Sequence, residues 1–303
     1  MYTNKTDIPI ALAVMLATDT YDYDPTPNLI SATSLLKPLK SLILSKRIEP
    51  RSIDLLDIYK SRIGTAVHDS LEQAWKSPNK ALYLLKYAPE VIHGLKNKVH
   101  SEIRSKKQIG KYIVSGKFDI CINGQVQDLK TTSTYSYVKS SNDEAYIKQL
   151  SIYKWLNPDI ITDDYGKILY MFTDWKQFQT SQVGYPKYPV MHKDLLLDPN
   201  IEIWLSERLS LYDSLLDSTD LPDCTDKELL RDASKWQYFS NPEKLNRATK
   251  NFTNLSDANI HLMTQNKGIV IEKKGKPVYC KWCPAQLACT QAEKYIESGE
   301  LEL

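Results

Sequence analysis

No run in this chain reaches the roughly 18 consecutive apolar residues that a membrane span requires. The first apolar stretch, "IPIALAVMLA", gives way at once to "TDTYDYDP" and has no basic segment before it. Neither an anchor nor a secretory leader is therefore expected, and the expected location is the cytoplasm. The chain also lacks a charge excess, with a net charge of +2. That removes a globally polybasic protein from consideration and leaves room for local basic stripes. Cysteine is scarce and odd in number, five in 303 residues, which argues against a secreted disulfide scaffold. Phenylalanine is scarcer than its aromatic partners, five against nineteen tyrosines and six tryptophans. Internal repeats and low-complexity linkers are absent. What remains is 42% hydrophobic and 25% charged, a composition that supports a packed core.

The length suits one large domain or two modest ones. "ISATSLLKPLKSLILSKR" mixes apolar and basic residues at helical spacing and is interrupted at Pro38. "SIDLLDIYKSRIGTAVHDSLEQAWK" predicts a helix, with Ser52 as its cap and Ile63, Val67, Leu71 and Trp75 as one apolar stripe. A helical pattern continues over residues 83–104, and strands are expected from about Lys111 to Lys130. "NDEAYIKQLSIYKWL" predicts a helix ended by Asn157-Pro158, "GKILYMFTDWK" a strand, and "NIEIWLSERLSLYDSLLDS" a long helix. After Leu221-Pro222 the chain reads as polar and irregular. This order predicts an α/β fold with a mixed central sheet flanked by helices. Residues 1–220 are expected to form the core, and 221–303 a cysteine-containing segment packed on it.

Within "GKFDICINGQVQDLKTT", Asn123-Gly124 is a strong two-residue turn signal. A tight turn there places Ile122 opposite Gln125, Asp119 opposite Asp128 and Lys117 opposite Lys130. Alternation puts Asp128 and Lys130 on one face and Phe118, Ile120, Ile122 and Leu129 on the other. Like charges directly opposite, about 5 Å apart, are destabilising. The lysines of a solvated face, a protonated carboxyl, or a cation such as Mg²⁺ or Mn²⁺ would each relieve the repulsion. His68 and Glu72 share a helix face upstream, and Gln149 and Tyr153 share one downstream.

Taken in order, Gly64-x3-His68, Asp119, Asp128-Leu129-Lys130 and Gln149-x3-Tyr153 resemble the RecB-type branch of the PD-(D/E)XK nucleases over residues 30–220. The resemblance implies a restriction-endonuclease-like sheet and metal-dependent hydrolysis of DNA phosphodiesters, with exonuclease action on single strands or DNA ends expected. It makes His68, Asp119 and Asp128 ligands of Mg²⁺ or Mn²⁺, with the Leu129 carbonyl as a further donor. Lys130 becomes the catalytic lysine, and Gln149 and Tyr153 supporting contacts. It implies roles in recombination, repair or phage DNA processing, alongside recombination or replication proteins. A phage-encoded chain would act in host cytoplasm. The alternative is a DNA-binding assembly subunit with a vestigial nuclease site; RNA as substrate is also open.

Cys280, Cys283 and Cys289 lie within ten residues, close enough for their thiols to share one centre. Lys273, Lys274, Lys276 and Lys281 nearby are expected to favour thiolate. The group resembles the C-terminal part of the iron staple in the CRISPR-associated and AddB-like nucleases, where a [4Fe–4S] cluster takes a further cysteine from upstream. No cysteine precedes Cys121 here, so Cys224 is the candidate fourth ligand. A [4Fe–4S] cluster, a zinc ion and free reduced thiols are all compatible with the residues.

Overall fold

The computed structural model describes residues 1–302 except 20–22, 50–51, 91–93 and 95–97. The chain divides into two compact units, one of residues 1–36 and 50–214, the other of residues 37–49 and 215–303. Its first elements are β1 (Tyr2–Thr3), α1 (Ile10–Ala17), β2 (Leu29–Ser31) and α2 (Ala32–Leu35). There follow α3 (Leu39–Arg47), which belongs to the second unit, then β3 (Ile53–Asp54), α4 (Leu55–Lys76) and α5 (Asn79–Leu84). The central stretch holds β4 (Val99–Ser101), β5 (Arg104–Ile109), β6 (Tyr112–Lys117), β7 (Ile120–Ile122), β8 (Gln125–Thr132), α6 (Thr134–Lys139) and α7 (Asp143–Leu156). After β9 (Tyr165–Phe172), β10 (Val190–Leu196) and α8 (Ile201–Leu215) come β11 (Lys235–Phe239), β12 (Lys250–Phe252), α9 (Leu255–Gln265), β13 (Ile269–Lys273) and α10 (Thr290–Glu297).

The main sheet of the first unit runs β10-β9-β8-β7-β4. β8 and β9 are parallel and their neighbours antiparallel, so the sheet is mixed, as expected. A second sheet, β2-β6-β5, also mixes directions. α7 packs on β6, β8 and β9, and its Leu150 and Ile152 are fully buried, as are Val126 of β8 and Ile168 of β9. Burying each such side chain contributes roughly 1.5–3 kcal/mol. α7 stops at Asn157-Pro158, where Asn157 N–H donates to the Tyr153 carbonyl at 3.0 Å. Pro38 separates α2 from α3 as its position predicted, because its ring cannot continue a helix. Among the described residues no helix is long and apolar enough to cross a membrane.

Four expectations are corrected. The cap of α4 is Asp54, not Ser52; its carboxylate accepts the Leu56 N–H at 3.1 Å. The strands of the main sheet begin at Val99, inside a stretch expected to be helical and partly outside the described residues. The single strand expected through Lys117 and Ile122 breaks at Phe118–Asp119, so β6 and β7 join different sheets. Residues beyond Leu221 are not irregular throughout: β11 pairs with β12 and β13 in an antiparallel sheet, with α9 against it.

Candidate metal and phosphate site

The hairpin forms in the expected register, with Ile122 opposite Gln125, Cys121 opposite Val126 and Ile120 opposite Gln127. Asn123 and Gly124 both have positive φ, 53° and 84°, as a type I′ turn demands. The ladder ends at Ile120, so Asp119 lies just outside it. Its Oδ2 accepts the Leu129 N–H at 2.8 Å, which anchors the carboxylate to β8. Lys117 does not face Lys130; it pairs with Arg104 across β5–β6 and makes an ion pair with Glu102. Phe118, at the break between β6 and β7, is fully buried.

α4 supplies the histidine. Gly64 lies one turn before His68, and a Cβ on it would meet Thr131 Oγ1 of β8 at 3.1 Å. The glycine thus permits the helix to approach the strand that carries the acids. His68 Nδ1 lies 3.2 Å from Asp119 Oδ2, and this hydrogen bond, partly opposed by burial, raises the imidazole above its ordinary pKa. Glu72, on the same helix, pairs instead with Lys76 at 2.9 Å.

Asp128 is 1% exposed. A solvated polar face is therefore excluded. Its Oδ1 accepts from Gln149 Nε2 at 3.1 Å, and Oδ2 stands 2.5 Å from Lys130 Nζ. That contact is a close ion pair, so the buried Oδ2 has the Lys130 ammonium as its partner. Burial, with Asp119 adding to it, pushes the Asp128 carboxyl up from the ordinary carboxylate range. Burial opposes the charge on Lys130, but Asp128 outweighs it and the ammonium is held above its ordinary value. Lys130 Nζ also donates to Gln149 Oε1 at 3.3 Å, while Gln149 Nε2 donates to Tyr153 OH at 2.8 Å. Gln149 and Tyr153 are both buried, so the amide locks the Asp128–Lys130 pair from the α7 side.

The structure thus brings His68, Asp119, Asp128, Lys130, Gln149 and Tyr153 together and leaves the Leu129 side chain in the core. Sequence reasoning missed Tyr146, whose ring centroid lies 5.4 Å from Lys130 Nζ. Its position three before Gln149 and seven before Tyr153 is the helical period that would have found it.

The second unit gathers the four predicted cysteines. Cys224, Cys280, Cys283 and Cys289 line one cavity, together with Lys40, Ser41 and Tyr279. Cys224 is clamped by Gln291, whose Oε1 accepts the Cys224 N–H at 2.8 Å while Nε2 donates to the Cys224 carbonyl at 2.9 Å. The expected lysine effect is corrected: those lysines are exposed, and burial pushes Cys224 up to about 12 and Cys280 to about 11. Cys121 is elsewhere, fully buried, with its Sγ 3.5 Å from the Ile160 carbonyl.

Among the described residues no three His, Cys, Asp or Glu side chains stand in metal-holding geometry. Metal binding deprotonates its ligands and draws them in. The donor sets nonetheless fit. Two carboxylates and an imidazole suit Mn²⁺ or Mg²⁺, and Asp128 Oδ2, ion-paired with Lys130, is an oxygen donor among them. Four cysteines on one cavity suit a [4Fe–4S] cluster or zinc.

Neither a family model nor a curated protein matches the chain. Among solved structures, SSO0001 is similar with a TM-score of 0.42 and 17% identity, over 65% of this chain and 80% of that one. A phage-related exonuclease from Haemophilus somnus 129PT is similar with a TM-score of 0.30 and 16% identity, over 63% of this chain and 96% of that one. Both likenesses are too distant to carry an argument, and the functional reading rests on the side chains.

Proposed function

We propose that the first unit is a Mg²⁺- or Mn²⁺-dependent nuclease that hydrolyses DNA phosphodiesters, with exonuclease action on single strands or ends as the favoured mode. The observation that carries this reading is Asp128: buried, ion-paired with Lys130 and within the electrostatic reach of Asp119 and His68. Hydrophobic packing alone gives no reason to bury this set, because each buried charge costs several kcal/mol after relaxation.

His68, Asp119 and Asp128 would hold the ion. When bound, it supplies Lewis-acid stabilisation of charge on the phosphate. Asp128 favours the ammonium form of Lys130. As an ammonium it would donate hydrogen bonds and positive charge, orienting the attacking water and stabilising charge on the phosphate oxygens. Gln149 fixes both Asp128 and Lys130 through opposite ends of one amide, and Tyr153 fixes Gln149. Asp119 holds His68 in place through Nδ1.

The second unit, on the same reading, carries a four-cysteine [4Fe–4S] or zinc centre at Cys224, Cys280, Cys283 and Cys289. The test of the nuclease is incubation of end-labelled single- and double-stranded DNA with EDTA, Mg²⁺ or Mn²⁺, using wild type, Asp128→Ala and Lys130→Ala. Cleavage by wild type with a divalent ion, lost in both variants while DNA binding survives, supports it. Full activity in either purified variant, or none in wild type with Mn²⁺, refutes it. The second outcome favours a binding subunit with a vestigial site.

A further inference from the structure

We infer that Ser41 is a positioning residue of the cysteine centre, donating a hydrogen bond to the sulfur of Cys283, with Tyr279 as the donor behind it. This rests on the four-cysteine reading and extends it to a residue that supplies no ligand.

Ser41 is 3% exposed, on α3 of the second unit, 242 residues from Cys283 in sequence. Its Oγ accepts from Cys283 Sγ at 3.3 Å and lies 3.1 Å from Tyr279 OH. All three residues line the cavity that holds the four thiols. Beside them Lys40, also buried, pairs at 2.6 Å with Asp223, the residue before Cys224. Two consecutive residues of α3 therefore reach the two segments that carry cysteines.

The chain of hydrogen bonds must reverse on ligation. As a thiol, Cys283 is the donor and Ser41 the acceptor. When sulfur bonds to metal, its proton leaves to solvent, and the thiolate can only accept. A serine hydroxyl can swing to donate, because it carries one proton and two lone pairs. Its oxygen then takes the Tyr279 O–H. The order becomes Tyr279 to Ser41 to Cys283, with every buried oxygen satisfied and one proton released. An alanine leaves a buried, charged sulfur and the half-buried Tyr279 hydroxyl each short of a partner. Outer partners of this kind typically contribute about 10–100-fold to metal affinity.

Protein purified without oxygen is analysed for iron, sulfide and zinc, and then challenged with excess EDTA while metal release is followed. Ser41→Ala is expected to lose metal about 10-fold faster than wild type, Tyr279→Phe by a smaller factor, and Ser41→Thr, which keeps the hydroxyl, close to wild type. A loaded, folded Ser41→Ala that releases metal at the wild-type rate overturns the inference and leaves the four-cysteine reading intact. If Ser41→Ala takes up no metal, loading of Ser41→Thr supports the inference and equal failure of Ser41→Thr overturns it. Wild type free of iron, sulfide and zinc overturns both this inference and the cysteine centre, and leaves the nuclease reading untouched.

Discussion

Lys130→Met isolates the electrostatics of the buried pair. The substitution removes the ammonium 2.5 Å from Asp128 Oδ2 and leaves Gln149 on Oδ1. Asp128 is 1% exposed, so water cannot replace the lost partner. Removing one member of a buried ion pair costs roughly 3–5 kcal/mol. Two features place the variant at the low end. The Gln149 bond survives, and the carboxyl, already raised by burial, loses its main opposing influence and takes up a proton more readily. The expected loss near pH 7.5 is therefore about 3 kcal/mol. The sign of the pH dependence follows. A carboxyl whose folded pKa lies above its unfolded value, near 3.9, binds its proton more tightly in the native state. Stability falls as pH rises from the unfolded value to the raised folded value and is level above it, so the loss near pH 5 is smaller. Urea unfolding in EDTA at the two pH values, with Asp128→Asn/Lys130→Met alongside, measures this. The double variant should recover most of the loss. A single-variant loss under about 1 kcal/mol at both pH values, with no recovery in the double variant, would refute a buried charge at Asp128.

Three further outcomes are expected. Gly64→Val drives a branched side chain into Thr131 Oγ1, 3.1 Å from the added Cβ, and should cost about 1–3 kcal/mol in thermal unfolding. An unchanged melting temperature would show that α4 does not approach β8 so closely. Gly124→Ala meets both a φ of +84° and Thr162 Oγ1 at 2.2 Å, and should cost more than about 1 kcal/mol by the same measurement. In EDTA, the raised pKa of His68 makes its pair with Asp119 stabilising below the ordinary histidine value, about 6.5. That contribution is lost as pH rises through the folded value. Asp119→Asn should flatten this part of the stability–pH curve, and an unchanged curve would mean that the pair contributes nothing.

The legible part of the site is the part set locally. Asn123-Gly124 fixes its own turn, the turn fixes the register, and alternation then places Asp128 beside Lys130 on the face that α7 covers. The break at Phe118–Asp119 was not legible. It depends on a buried ring and on a carboxylate bonded to Leu129, ten residues away in sequence. Nor was the membership of α3 in the second unit, whose reasons, Lys40 to Asp223 and Ser41 to Cys283, span more than 180 residues. Cys224 could be named because so few cysteines were available. Ser41 carried no signal, since a serine in a mixed apolar and basic helix has no pattern to mark it.

Sequence alone left the role of the lysine undecided between base and donor, and its surroundings bear on the proposed role as donor. A lysine buried among apolar groups drops its pKa and becomes a base. Here the nearest group is a carboxylate more deeply buried than the lysine itself, and the attraction exceeds the burial penalty. The ammonium is thus favoured by Asp128, while burial pushes the Asp128 carboxyl up from the ordinary carboxylate range. If Asp128 holds a divalent ion as proposed, its carboxylate would serve the ion and Lys130 at once, and Lys130 would supply positive charge and hydrogen-bond donors beside the phosphate.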